Sequence, residues 1–290
     1  MRSGILLALL LAGGHQAFSE QKYAAAGLVL RVDPSHRTLL VSCERIPGYT
    51  DARTMSVSVR DPNALAELAA GSMVEFTLVT GRQPSYAESI HVRSFEDLGQ
   101  QGLAARRLKI VESLDPTNSF VASELKVGQQ VRSVILIDQN RRETDVAGFR
   151  GKVVLMNFFY SHCPLPDYCF RLSNNLGNVQ KRFKARMGRD LILLSVTFDP
   201  IHDQPEVLAN YARTWKAGSD WHFLTGALPE VSRLCAMFGV DVWQDEAELM
   251  HSLHTVVIDR DEKLAANLEG NRFTARQLGD LVETILDQPQ

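Results

Sequence analysis

Two cysteines, Cys163 and Cys169, stand with five residues between them in Ser161-His162-Cys163-Pro164-Leu165-Pro166-Asp167-Tyr168-Cys169. The apolar run Val153 to Phe159 comes just before this segment, and Phe170 to Leu176 after it can be helical. A thiol pair in a strand-to-helix crossover lies at the carboxyl edge of an α/β sheet, where such folds place their chemistry. Asp167 is a suitable helix N-cap, which would set Cys169 in the first helical turn. Unpaired amides and the helix dipole there favour thiolate over thiol. A thiolate serves metal binding and disulfide exchange alike, and the two prolines of the loop restrict how the sulfurs can meet. The plain alternative is an inert structural disulfide or two buried thiols. His162 adjoins Cys163 but points elsewhere if Cys163 points inward. Cys235, in the helically spaced Val231 to Phe238, reads as a core cysteine, since free thiols behave as small hydrophobes.

The elements that must position this pair alternate between strand and helix. Val153 to Phe159 and Leu191 to Phe198 are apolar runs of the kind buried on both faces of a parallel sheet. Pro205 opens a helix with Asp203 available as its cap, followed by Val207, Leu208, Tyr211 and Trp215 at helical spacing. Thr274 begins a last helix on which Leu278, Leu281, Val282 and Ile285 share a face. This pattern predicts an α/β domain over residues 125–290. Upstream, Gly27 to Val32, Thr38 to Ser42, Thr54 to Val59 and Met73 to Leu78 read as short strands separated by Asp33-Pro34-Ser35-His36, Ile46-Pro47-Gly48 and Asp61-Pro62-Asn63. A small all-β barrel over residues 20–95 is the natural way for such strands to hide their edges. Residues 96–124 lose the strand period and read as a linker.

The chain has 290 residues, 45% hydrophobic and 22% charged, which suits two globular domains and disfavours long disorder. With 31 Lys plus Arg against 34 Asp plus Glu it offers no basic footprint for nucleic acid. Four cysteines are too few for a disulfide scaffold in a chain of this length. Arg2, the apolar run Ile5 to Ala12 and Ala17-Phe18-Ser19 read as an export signal over residues 1–19, with an uncleaved membrane anchor as the alternative. Export to a periplasmic or other extracytoplasmic space lets paired thiols be disulfides, metal ligands or both in turn.

Several ordered blocks resemble the SCO/SenC family of thioredoxin-fold copper proteins. They are Gly151 to Leu155, Asn157 to Tyr160, the cysteine pair, Ser195-Val196-Thr197-Phe198-Asp199-Pro200 and Trp221 to Gly226. Histidine and Ile258-Asp259-Arg260-Asp261 complete the series, and the family's spacing of seven residues before that isoleucine selects His251 rather than His254. The resemblance covers roughly residues 125 to 286 and implies an α/β thioredoxin-like domain in which Cys163, Cys169 and His251 bind copper. On residue type alone His251 is a surface residue ahead of a strand. Soft thiolates select Cu(I), and an added imidazole keeps a place for Cu(II). Asp199 matches a family position near the site, either hydrogen-bonding a ligand or capping the turn at Pro200. The family's usual pair has three intervening residues and a following proline, so the longer loop here either bulges and keeps both sulfurs on one metal or separates them.

The amino-terminal blocks Gly27 to Leu30, Ser42-Cys43-Glu44, Ile46-Pro47 and Ala52-Arg53-Thr54-Met55 are similar to the CusF-like copper-binding barrels, an OB-like architecture. Cys43 and Met55 match that site, whereas Arg53 stands where its other methionine would be. The barrel is then a weak two-sulfur site, helped by Tyr49, or a degenerate docking module. The resemblance implies an exported copper chaperone that delivers to the copper centre of a respiratory oxidase or another acceptor. The rival reading is a thiol-disulfide oxidoreductase served by a thiol reductant, and a third is a docking module whose sites have decayed. Membrane association would come through an uncleaved signal or through the partner.

Overall fold

The computed structural model of the chain describes residues 20–81, 85–93, 124–245 and 248–288. The expected export signal lies outside the described residues, as does all of the expected linker except Glu124. Five strands, β1 (Gln21–Asp33), β2 (Thr38–Cys43), β3 (Thr54–Val59), β4 (Met73–Thr80) and β5 (Tyr86–Val92), close into a barrel in the order β1-β2-β3-β5-β4. β4 returns to β1 in antiparallel register and β3 pairs with β5 in parallel, which removes free edges. The expected strands correspond to β1 to β4. β5 escaped the sequence pattern because Ser89 takes a positive φ of 54° and the register with β4 slips between Glu75 and Thr77, so strict alternation fails there. β1 and β2 approach closely at Gly27, where a Cβ would stand 2.6 Å from the Ser42 carbonyl oxygen.

The second sheet has seven strands. They are β6 (Ile135–Asp138), β7 (Glu143–Asp145), β8 (Val153–Phe159), β9 (Leu191–Thr197), β10 (Trp221–Thr225), β13 (His254–Ile258) and β14 (Leu264–Glu269), preceded at β13 by the hairpin β11 (Val242–Asp245) and β12 (Glu248–His251). Their order is β14-β13-β8-β9-β10-β6-β7, with β8, β9 and β10 parallel at the centre and β13 antiparallel to β8. Every residue of β8 and β9 is buried, which explains why they are apolar except at Asn157, Ser195 and Thr197. Among the described residues four α-helices cover the sheet: α1 (Arg171–Arg182), α2 (Pro205–Thr214), α3 (Leu228–Met237) and α4 (Ala275–Leu286). α4 starts as the sequence predicts, with a reciprocal capping box between Thr274 and Gln277. α2 does not: its N-cap is Gln204 without a side-chain bond, and Asp203 is turned inward for another purpose. The order of elements is that of the α/β thioredoxin-like fold expected for this half.

The barrel is seated on this second unit. Leu28, Leu30 and Met73 leave the barrel's own core and join the larger one. Gly71, with φ of 96°, packs its backbone against β14 so closely that a Cβ there would stand 3.2 Å from Leu268 Cδ1. A polar seam beside this contact runs along α4. Ser42 Oγ donates to Asp280 Oδ2 at 2.7 Å, Gln277 Nε2 to Ser42 O at 3.1 Å, and Arg276 to Ser42 Oγ at 3.0 Å and to the Cys43 carbonyl at 2.7 Å. Arg276→Ala is expected to cost about 1–2 kcal/mol, since the charge-assisted bonds to Ser42 Oγ and to the Cys43 carbonyl are lost from a partly exposed side chain. Calorimetry would read it as a lower melting temperature of the barrel's transition, and an unchanged melt would show that the seam contributes nothing.

Candidate metal centre

Cys163 lies in the loop that leaves the carboxyl end of β8, and its amide donates to the Tyr160 carbonyl at 3.3 Å. The residues between the cysteines do not start a regular helix. Pro166–Phe170 form one wide, kinked turn in which Tyr168 has φ −104° and ψ −108°, and α1 begins only at Arg171. Asp167 is therefore not an N-cap. Its carbonyl accepts from Asn271 Nδ2, and Cys169 sits ahead of the helix rather than in its first turn. The wide turn takes up the extra length of the loop and brings Cys169, 1% exposed, back under Cys163.

His251 closes the hairpin of β11 and β12 and lies three residues before β13, the antiparallel neighbour of β8. It is buried, not the surface residue that its type alone suggested. Its Nδ1 is 2.9 Å from the Ser252 carbonyl, an acceptor only, so Nδ1 carries the proton and Nε2 presents its lone pair. That Nε2 faces Cys169 Sγ at 3.5 Å. The ligand atoms of Cys163, Cys169 and His251 all lie within 4.8 Å of one another. Tyr160 and Phe198 wall the imidazole, with ring centroids 6.0 and 4.3 Å away. His254 is directed elsewhere, with Nδ1 2.9 Å from Asn267 Oδ1.

The electrostatics reverse one expectation. Cys163, not Cys169, is the activated thiol. The Cys169 thiol donates toward it, and with help from the Leu165 backbone this holds Cys163 far below the ordinary thiol range despite partial burial. Cys169 is pushed well up because it is the donor of the pair, because it is buried and because it faces the Cys163 charge. Without a helix start at Cys169, the dipole argument has nothing to act on. Iodoacetamide is accordingly expected to label Cys163 alone in the reduced protein, at a rate nearly flat with pH from mildly acid to mildly alkaline conditions. Peptide mapping would check it, and a rate climbing steeply through the usual thiol range would contradict it.

Asp199 meets neither sulfur nor His251. Its carboxylate accepts from His202 Nδ1 at 2.8 and 3.0 Å, and its side-chain partners among the described residues are His202 and His162. Nor does its side chain cap the turn, where its backbone carbonyl accepts the Asp203 amide at 2.9 Å. The sequence reading missed Asp203. This carboxylate, 0% exposed, accepts the Ser161 amide at 3.0 Å, the Ser161 hydroxyl and the Thr197 hydroxyl at 2.6 Å, and so ties the loop bearing Cys163 to the end of β9. In the barrel, Cys43 is fully buried with its thiol pushed up to about 11 by burial, and Met55 packs against the same core. Arg53 is exposed, and Tyr49 packs against Tyr23 with ring centroids 5.0 Å apart and the planes tilted by 35°. Cys235 is the core cysteine expected, pushed up to about 12 by burial.

Fold and site together define a thioredoxin-like protein with a two-thiol, one-imidazole cluster at the carboxyl ends of its parallel strands. Residues 128–286, more than half of the chain, match the sequence profile of the SCO1/SenC family, and the chain belongs to that family. It is 24% identical over 128 residues to the SCO1 protein homolog of Bacillus subtilis (strain 168), covering 41% of this chain and 65% of that protein. It is 29% identical over 159 residues to the mitochondrial SCO2 homolog of Homo sapiens, covering 51% of this chain and 56% of that protein. The chain thus spans about 65% and 56% of the length of these relatives. Among solved structures, Bradyrhizobium japonicum ScoI with copper bound is 19% identical, with 54% of this chain and 99% of that chain covered and a TM-score of 0.45. BsSco, described as a member of the Sco family of cytochrome c oxidase assembly proteins, is 21% identical, with 56% and 96% covered and a TM-score of 0.48.

Proposed function

We propose that the chain is a copper chaperone: it holds one copper through Cys163, Cys169 and His251 and passes it by ligand exchange to the copper centre of a respiratory oxidase. The observation that carries this reading is the convergence of two sulfurs and one deprotonated imidazole nitrogen within 4.8 Å despite the long intercysteine loop. The donor set fits the ion. Two soft thiolates hold Cu(I), and the imidazole is a ligand that Cu(II) also accepts. The Ser252 carbonyl fixes the His251 tautomer, as such partners do at metal sites. Cys163, half-buried, is the ligand that an acceptor's sulfur can approach, whereas Cys169 and His251 are enclosed.

Residues 20–95 and 125–290 form the two domains of this proposal, joined by 96–124. The first is an OB-like, CusF-like barrel acting as a docking module, because Cys43 is sealed in its core and Arg276 covers the Cys43 backbone. Residues 1–19 direct export to the periplasm or an equivalent space, and any membrane contact comes through an uncleaved signal or the oxidase. Reduced metal-free protein should take up one Cu(I), measured by metal analysis after gel filtration. Uptake that is absent, or unaffected by Cys163→Ser, would reject the reading.

A second reading draws on one observation: a low-pKa, partly exposed Cys163 stands over a buried Cys169, the arrangement of an attacking and a resolving thiol. Cys163 thiolate would attack a partner disulfide and release one partner thiolate. Cys169 would then displace the second, leaving the Cys163–Cys169 disulfide for a thiol reductant to reopen. Exchange rates indifferent to His251→Ala, in a protein that binds no copper, would favour this thiol-disulfide oxidoreductase over the chaperone.

A further inference from the structure

A second group of ligand-type side chains stands at the same end of the sheet and plays no part in the thiol cluster. His162 leaves the end of β8, and Asp199 and His202 occupy the loop between β9 and α2. We propose that His162, Asp199 and His202 bind a divalent first-row cation of the Cu(II) or Zn(II) class at a site separate from the thiols. Their ligand atoms lie within 4.8 Å of one another. Asp199 is the fixed base of the group: its side chain is 11% exposed, its amide donates to Thr197 Oγ1 at 3.0 Å, and its carbonyl accepts from Asp203. Asp203 in turn holds Ser161, the residue before His162, so the two contributing loops are tied to each other.

The two imidazoles stand over this carboxylate. His202 Nδ1 is 2.8 Å and His162 Nε2 is 3.5 Å from Asp199 Oδ2, and the side chains are 69% and 54% exposed. Exposed rings can turn, so an ion entering between them replaces the His202 hydrogen bond without moving backbone. Among the described residues no guanidinium or ammonium group pairs with Asp199, whose side-chain partners are these rings. Two nitrogens and an oxygen are borderline to hard donors that select divalent ions and leave Cu(I) to the thiolates. The ring of Tyr160 stands between the sites, 4.9 Å from the ring of His162 and 6.0 Å from that of His251. Water fills the remaining coordination positions of an open site.

The test uses Cys163→Ser/Cys169→Ala, which removes the thiol site and leaves the three ligands untouched, with zinc chloride as probe in isothermal titration calorimetry. One equivalent of Zn(II) is expected, with affinity falling about tenfold or more on adding His162→Ala or His202→Ala and unchanged on adding His36→Ala. Histidine ring signals of residues 162 and 202 should shift in NMR during the titration, while that of His254 stays put. No uptake, or uptake indifferent to both histidines, would overturn the proposal. Should the thiol variant not fold, the same substitutions in the otherwise wild-type chain decide it through loss or retention of the second zinc equivalent. Because the thiols are absent or separately counted, failure here leaves the chaperone reading standing.

Discussion

Removing the buried sulfur, by Cys169→Ala, is expected to weaken Cu(I) binding by about a hundredfold or more. A closed protein metal site of four ligands is worth about 10–16 kcal/mol, so one ligand corresponds to about 3 kcal/mol, two decades in Kd. Alanine is the cleaner substitution. A serine hydroxyl at this fully buried position would need a partner of its own and would confuse lost ligation with a desolvation cost of about 1–3 kcal/mol. The prediction depends on the wide turn at Pro166–Phe170, which returns Cys169 to within 3.5 Å of His251 Nε2. Affinity within about threefold of wild type would mean that copper uses Cys163 and His251 without it, and that the lengthened loop has separated the sulfurs functionally. Chelator competition on the folded variant, its fold checked by circular dichroism, measures the difference.

Asp203→Ala carries the largest expected stability effect, about 3–5 kcal/mol. The carboxylate is fully buried and serves one amide and two hydroxyls, and deleting it strands all three donors in a site without solvent. For a chain of this size such a loss lowers the melting temperature by roughly 10 °C. Copper affinity should fall with it, because Ser161 and hence Cys163 lose their anchor to β9. Asp203→Asn should recover part of the stability, since its amide oxygen accepts some of these bonds. A melt within about 1 °C of wild type for Asp203→Ala would show that the two loops hold together without this carboxylate.

The parts of the fold legible in the sequence were those where burial dictates composition. β8 and β9 are enclosed on both faces, so Val153 to Phe159 and Leu191 to Thr197 are nearly all apolar, and α4 carries both its capping box and its apolar face. The cysteine pair was legible by type and by its position after a buried strand. Its polarity was not, because the activated thiol depends on which sulfur the wide turn leaves uppermost, and Tyr168 departs from helical backbone with no residue type to announce it. Asp203 looked like a helix cap two residues before Pro205, and only the packing of β9 against the Ser161 loop shows it turned inward. Arg276 and Asp280 are spaced four apart, as an ordinary surface ion pair on a helix would be, yet they bond Ser42 of the barrel. Contacts between residues more than two hundred positions apart leave no local signature. His162 and His202 met over Asp199 for the same reason: two loops converge at one end of the sheet.

The most direct measurement is a Cu(I) titration of the reduced protein against a competing chelator, comparing wild type with His251→Ala and Cys43→Ser. One tight equivalent that weakens by about tenfold or more without His251, and is unchanged without Cys43, is the expected result. Binding that ignores His251, or that needs Cys43, would contradict a single copper held by Cys163, Cys169 and His251.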